Sequence, residues 1–310
     1  MPDTKIKIFS GTASQELAEN IAADYGKPLG KLVFEKFSDG EFQPNILESV
    51  RGCFAFFIQS TYAPMDNLME LMLMIDAAKR ASAQYVIAVI PYFGMSRQDR
   101  KDKPRVSIGA KLVANLLMAC GTDRIMTMDL HAPQIQGFFD IPVDHLDNSA
   151  IFVPYVRELK LENLIFASPD VGSSKRVREF ARRFDSEMVI CDKQRKRANE
   201  IASMQVIGDV AGKNVVLIDD IVDTANTLCN ASRMMMERGA LSVRALCTHP
   251  VLSGNAYENI QNSTLTELVV CNTIPLKQES EKIKVKSVAP LFATAFKYIT
   301  EYRSISSLFV

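Results

Sequence analysis

The sequence predicts an α/β protein of two tandem domains, each a mainly parallel sheet flanked by helices. Three observations lead there. With 310 residues, 47% of them apolar, the chain can fill cores for two compact domains of about 150 residues each. Short β-rich runs alternate with helical patterns along its whole length, the signature of parallel sheets covered by helices. A block of the first half also recurs in the second half at the same internal spacing.

In the first half, Ile6–Phe9 reads as a strand and Ser14–Tyr25 as a helix. A short strand at Lys31–Phe34 follows, then Cys53–Gln59 with the helix Asn67–Ala81, Tyr85–Ile90 with the helix Ser107–Ala119, and the strand Arg124–Met128. The second half runs Leu164–Ala167, a helix over Ser174–Phe184, Glu187–Ile190, Asn214–Ile218, a helix from Ala225 to Arg238, Ser242–Cys247 and Glu267–Cys271. The repeat joins Gly121–His131 to Gly239–His249: each block follows an amphipathic helix, and glycine and histidine are equally far apart in both. A boundary near Leu146–Ser149 gives domains 1–147 and 148–310, with the final helix, Pro290–Tyr302, able to pack on either half.

Composition narrows the function class. Lysine plus arginine (36) equals aspartate plus glutamate (36), so no global charge points to nucleic acid or a membrane surface, and any anion site must be local. The six cysteines lack Cys-x-x-Cys spacing and sit mostly in apolar segments, which suits reduced thiols in a reducing compartment. The N-terminus has no basic-then-apolar leader, and no apolar run approaches membrane-spanning length, so a soluble cytoplasmic protein is expected. Neither a P-loop nor a Gly-x-Gly-x-x-Gly fingerprint occurs, and no Ser/His/Asp or Cys/His arrangement of a nucleophile is recognisable.

The most informative stretch runs from Val215 to Leu228. The apolar residues Val215–Ile218 read as a buried parallel strand, followed by an acidic turn that carries Asp219, Asp220, Asp223, Thr224, Ala225, Asn226 and Thr227 into the next helix. That pattern suits a phosphorylated sugar: the first unpaired N–H groups of the helix and the threonine hydroxyls hold the phosphate, while Asp219 and Asp220 accept hydrogen bonds from ribose hydroxyls. It equally suits an N-cap beside a solvated strand end.

The first half carries a longer basic segment, Pro91–Arg105, suited to a polyphosphate or to a plain solvated loop. Asp129 and His131 share one face of a strand end, and Asp170 ends another strand; with phosphate oxygens these would form a Mg²⁺ site, histidine being an unusual ligand for so hard a cation. Lys193–Arg197 reads as a mobile cationic loop, able to close over a phosphate site and neutralise charge or simply to lie on the surface. Phe37–Glu41 offers an aromatic face and two carboxylates to an adenine, or makes an ordinary turn.

Together these blocks resemble the ribose-phosphate diphosphokinases, the PRPP synthetases of the phosphate-activated class. The resemblance covers almost the whole chain: Phe-Ser-Asp-Gly-Glu at 37–41, Asp-Asn-Leu-Met-Glu-Leu at 66–71, Ala-Val-Ile-Pro-Tyr-Phe-Gly at 88–94, Arg-Gln-Asp-Arg at 97–100, Asp-Leu-His-Ala at 129–132, Gln-Ile-Gln-Gly-Phe-Phe-Asp at 134–140, Ser-Pro-Asp at 168–170 and the acidic turn at 219–227. It implies two phosphoribosyltransferase-like domains, the first with ATP-binding elements and the second with the ribose 5-phosphate site and catalytic loop. It also implies transfer of the diphosphoryl group of ATP to the anomeric hydroxyl of ribose 5-phosphate, with release of AMP, for nucleotide biosynthesis.

By the same resemblance, Phe37, Asp39, Gly40 and Glu41 bind adenine across a subunit contact and Arg97 and Gln98 contact ATP. Asp219 and Asp220 face the ribose hydroxyls, with Asp223, Thr224, Ala225, Asn226 and Thr227 around the 5-phosphate. His131 and Asp170 are the metal positions with Asp129 close by, for Mg²⁺ or Mn²⁺; Lys193 and Arg195 are the catalytic pair, Arg195 also touching substrate. Ser49, Arg51, Ser82, Ser304 and Ser306 match allosteric phosphate-binding positions, with inorganic phosphate as activator, ADP as inhibitor and a homohexamer as the assembly.

Three residues depart from the family pattern: Asn226 and Ser173 stand where glycine is usual, and Lys196 replaces a proline. Asparagine tolerates left-handed geometry but brings a side chain toward the phosphate. Asn226 and Ser173 therefore support an alternative, a catalytically weak regulatory homologue. An ordinary phosphoribosyltransferase shares the acidic turn, but the duplicated first domain and the segment Arg97–Arg105 argue against it.

Overall fold

The structure, a computed structural model, describes residues 5–194 and 203–308. It divides into two compact units, Met1–Asp147 joined by Val288–Val310, and Asn148–Ser287.

Unit 1 contains β1 (Ile6–Ser10), α1 (Gln15–Tyr25), β2 (Leu32–Lys36), β3 (Phe42–Ile46), β4 (Phe54–Ile58), α2 (Asp66–Arg80), β5 (Tyr85–Ile90), α3 (Gly109–Ala119), β6 (Arg124–Met128) and β7 (Val143–Leu146). Unit 2 continues with α4 (Ser149–Leu159), β8 (Leu164–Ser168), α5 (Ser174–Arg183), β9 (Met188–Gln194), β10 (Ser203–Ile207), β11 (Asn214–Val222), α6 (Asn226–Glu237), β12 (Ser242–Pro250), α7 (Ala256–Gln261), β13 (Glu267–Cys271) and β14 (Ile283–Lys286). The chain then returns to unit 1 with α8 (Ala289–Thr300).

The unit 1 sheet has the parallel order β1-β4-β5-β6-β7, with β2 and β3 paired as a separate antiparallel hairpin. Every residue of β4 is buried, as a strand covered on both faces requires. Alternation turns Ala55 and Phe57 into the core shared with α2 and α3. Phe56 turns the other way and stacks on Phe296 of α8 at 4.1 Å between ring centroids. Tyr25 of α1 closes on the same ring at 6.2 Å. That aromatic contact places the final helix, left by the sequence able to pack on either half, in unit 1.

The unit 2 sheet has the order β10-β9-β8-β11-β12-β13-β14, parallel except for the β9–β10 pair. Its core gathers Val215 and Leu217 of β11, Leu228, Ala231 and Met235 of α6, and Ala245 and Cys247 of β12. On the sheet's other flank Tyr155 of α4 donates to Glu267 of β13 at 2.6 Å, and Arg244 of β12 binds the same carboxylate at 3.1 Å.

Several sequence expectations need correcting. β11 does not stop at Ile218: β12 is equally long and carries the ladder on to Val222, so Asp219 and Asp220 are strand residues rather than turn residues. β9 does not stop at Ile190 either, because β10 pairs with it through Gln194 and draws Lys193 into the strand. The helix expected from Ala225 begins at Asn226, since Ala225 has φ +62°. β7 and β14 are four-residue strands interrupted by charged side chains, and α4 holds Pro154 in its interior; these features hid them from periodicity.

The repeat appears in the fold as two left-handed glycines, Gly121 at φ +94° after α3 and Gly239 at φ +87° after α6. It diverges at the histidines. His249 is buried within β12, whereas His131 is exposed beyond the end of β6.

Phe296→Ala should lower the unfolding free energy by roughly 3–5 kcal/mol, the usual cost of emptying an aromatic core position. Denaturant melts followed by circular dichroism measure this, and Phe296→Leu should lose distinctly less.

Candidate active site

From β8 the chain leaves through α5 toward β9 on one side; from β11 it leaves through α6 toward β12 on the other. Strand order therefore reverses between β8 and β11, and in open α/β sheets ligands bind in the crevice outside the carboxyl ends of strands at such a point. β8 pairs with β11 only up to Leu217, while β12 accompanies it to Val222. The acidic tip of β11 thus stands above the end of β8, with the turn from Ser168 to Ser174 beside it.

Strand alternation gives the two carboxylates different neighbours. Asp219 Oδ1 accepts from the Ser173 hydroxyl at 2.9 Å and from the Asp220 N–H at 3.0 Å. Asp220, 4% exposed, lies 3.2 Å from Arg176 Nη1. Ser173 N–H in turn donates to Asp170 Oδ1 at 2.9 Å, so Ser173 ties two acidic positions together. Burial, followed by the neighbouring charge of Asp220, raises the Asp219 carboxyl well above the usual carboxylate range.

Beyond the strand, Ala225 in the left-handed region turns the chain into α6. The first bond of the helical ladder runs from Cys229 N–H to Ala225 C=O at 3.0 Å, so the N–H groups of Asn226, Thr227 and Leu228 precede the ladder. The first turn of α6 contains no acidic residue. A positive helix end thus meets the tip of an acidic strand, an arrangement that accepts an anion and a set of hydroxyl donors side by side.

The turn is held from behind by a segment distant in sequence. The Ser253 hydroxyl donates to the Asp223 carboxylate, and Ser253 N–H donates to Asp223 C=O at 3.1 Å. Asn259 Nδ2 donates to Thr224 C=O at 2.9 Å and to Asn226 Oδ1 at 3.0 Å. Ser173 stood out in the sequence only as a departure from the family pattern, and Arg176, Ser253 and Asn259 were not among the expected site residues. No local motif marks these three, because each acts through a contact made by the fold.

The other expected residues are distributed as follows. Lys193 takes its backbone place in β9 opposite Met204, and Arg195 and Lys196 lie outside the described residues. In unit 1, Phe37, Asp39, Gly40 and Glu41 form the exposed tip of the β2–β3 hairpin, with Gly40 at φ +98° and Glu41 N–H donating to Asp39 Oδ1 at 3.0 Å. Arg97 and Gln98 are exposed on the segment between β5 and α3. That segment is anchored at Gly94, where a Cβ would stand 2.0 Å from Thr61 O. Asp129 is buried with φ +43° at the end of β6, and exposed His131 follows it.

Asp129 and His131 belong to unit 1 and Asp170 to unit 2. Among the described residues, no three His, Cys, Asp or Glu side chains gather into a ready-made metal cage. Ser49 is exposed, Arg51 Nη1 donates to Ser82 Oγ at 3.1 Å, and the hydroxyls of Ser304 and Ser306 are 2.7 Å apart.

Comparisons with known proteins agree along the chain. A family model described as the N-terminal domain of ribose phosphate pyrophosphokinase matches residues 6–121, and one described as the phosphoribosyl synthetase-associated domain matches residues 172–310. The chain is 54% identical to the ribose-phosphate pyrophosphokinase of Porphyromonas gingivalis over 99% of its own length and 98% of the relative's. It is 55% identical to that of Wolinella succinogenes, with coverage of 98% and 99%. The crystal structure of phosphoribosylpyrophosphate synthetase from Mycobacterium smegmatis superposes with a TM-score of 0.92 at 36% identity, over 96% of this chain and 100% of that one. The likeness bears out the expected fold class of two tandem phosphoribosyltransferase-like domains. The chain belongs to the ribose-phosphate pyrophosphokinase family.

Proposed function

We propose that this chain transfers the β,γ-diphosphoryl group of ATP to the anomeric hydroxyl of ribose 5-phosphate, giving 5-phosphoribosyl 1-diphosphate and AMP. The observation that carries the reading is the acidic tip of β11 beside the N-terminus of α6 at the switch point of unit 2. Asp219 and Asp220 accept from the ribose hydroxyls, and the turn from Asp223 to Thr227 takes the 5-phosphate. These contacts fix the sugar so that its anomeric oxygen attacks in line, a gain from positioning rather than from a covalent intermediate.

The hairpin tip Phe37–Glu41 and the residues Arg97 and Gln98 are assigned to ATP. Lys193 and Arg195 stabilise charge on the transferring group. The cation is Mg²⁺, with Mn²⁺ able to replace it. Asp170 in unit 2 and, separately, His131 and Asp129 in unit 1 are assigned as its protein ligands, and it would supply charge neutralisation on the phosphate oxygens. The donor chemistry fits: Asp170 is oriented by Ser173 N–H, and Mg²⁺ is usually held by one or two carboxylates plus substrate phosphates and water.

We further assign inorganic phosphate and ADP as effectors acting at Ser49, Arg51, Ser82, Ser304 and Ser306, and a homohexamer as the working assembly. The adjacency of Arg51 to Ser82 and of Ser304 to Ser306 supports the effector positions. No described helix is long and apolar enough to cross a membrane. A cytoplasmic location suits the six cysteines, all of them free thiols.

AMP and 5-phosphoribosyl 1-diphosphate should both form from ATP, Mg²⁺ and ribose 5-phosphate in the presence of inorganic phosphate. Lys193→Ala should lower kcat by roughly 10²–10³-fold, the cost of losing one transition-state donor. Wild-type protein that makes neither product would sink the proposal and favour a regulatory homologue.

The raised Asp219 carboxyl gives a second expectation. Ribose hydroxyls bind its charged form, so affinity for ribose 5-phosphate should rise with pH through the folded-state titration of Asp219, with proton release. Isothermal titration of wild type against Asp219→Asn isolates that term, since ionisation of the sugar phosphate is common to both. For stability the sign is opposite: the native state keeps a proton that the unfolded chain has lost, so this group costs stability as pH rises above its unfolded value. Asp219→Asn should therefore gain unfolding free energy relative to wild type as pH is raised.

A further inference from the structure

We infer that Asn259 is a positioning residue that lets this chain carry asparagine at position 226 of its phosphate turn. The inference rests on the proposed ribose 5-phosphate site and names a residue that shapes it.

Asn226 is the first residue of α6, next to N–H groups that precede the helical ladder. A carboxamide there presents either an oxygen or an NH2 group to an incoming phosphate. The oxygen repels the anion; the NH2 group attracts it. Asn259 decides between them. Its Nδ2 donates to Asn226 Oδ1 at 3.0 Å and to Thr224 C=O at 2.9 Å, which uses both of its protons. With Oδ1 engaged by Asn259, the NH2 end is the part of the Asn226 carboxamide left to meet an anion.

The second bond acts on the backbone. Thr224 C=O lies immediately before Ala225, the residue at φ +62° that turns the chain into the helix. Fixing that carbonyl holds the turn whose N–H groups must converge on the phosphate. Ser253 grips the same turn at Asp223. Asn259 is therefore attached at two points of a turn already restrained at a third, and α7, which carries it, is anchored by buried Ala256 and Ile260. An asparagine without such a partner would sample both amide orientations. With it, one orientation prevails and the side chain becomes a phosphate donor.

The test is a double-mutant cycle between positions 226 and 259, read by isothermal titration with ribose 5-phosphate and by steady-state kinetics. In the wild-type background, Asn259→Ala should weaken ribose 5-phosphate binding about tenfold, the scale of one charge-linked hydrogen bond. The change should fall mainly on KM for that substrate, with kcat altered much less. In an Asn226→Gly background there is no carboxamide to orient, and the same Asn259→Ala change should cost no more than about threefold, from the Thr224 bond alone. Asn259→Leu keeps the side-chain volume without the donors and should reproduce Asn259→Ala in both backgrounds, which guards against a folding defect in the truncated variant.

An equal loss in the two backgrounds would overturn the inference and leave Asn259 a general support of the turn. No loss in the wild-type background would overturn it as well. Failure of the wild-type protein itself to bind ribose 5-phosphate would remove the proposed function and the inference together, a result distinct from either of the others.

Discussion

The structure of the site depends on one constraint: β11 lies between β8 and β12 and outruns the first of them. A strand in that position is hydrogen-bonded on both sides through its apolar half, where Val215–Ile218 are fully buried. Past Leu217 one side of the ladder ends, and backbone that remains paired with β12 carries Asp219 and Asp220 beyond the end of β8. A loop could bring the same carboxylates there, but a half-paired strand holds them with less loss of order on binding. The helix that follows starts four residues beyond the strand, which places its N–H groups close to the carboxylate-bearing tip.

That arrangement has an energetic cost, visible in Asp219. Burial and the adjacent Asp220 both disfavour its charge. The hydrogen bond from the Ser173 hydroxyl offsets part of it. Ser173 thus serves as a hydrogen-bond donor in this chain and lies 7% exposed.

Asn226 follows the same logic: its side chain, like that of Ser173, is engaged by a residue distant in sequence, here Asn259 of α7. Both contacts lie within unit 2.

Much of the molecule was legible in the sequence, for a physical reason. The alternation of buried strands and amphipathic helices is a local pattern, so the α/β class, the sheets and the repeat ending in Gly121 and Gly239 could be read directly. The acidic run at 219–227 and the exposed turn at 37–41 are contiguous and were legible on the same ground. Tertiary structure alone decided what depends on pairing between distant segments. β12 determined that Asp219 and Asp220 are strand residues, and β10 did the same for Lys193. The Phe56–Phe296 stack assigned α8 to unit 1. The contacts of Ser173, Arg176, Ser253 and Asn259 with the acidic turn belong to this second class: a sequence specifies which residues can donate and accept, but only packing decides which of them meet.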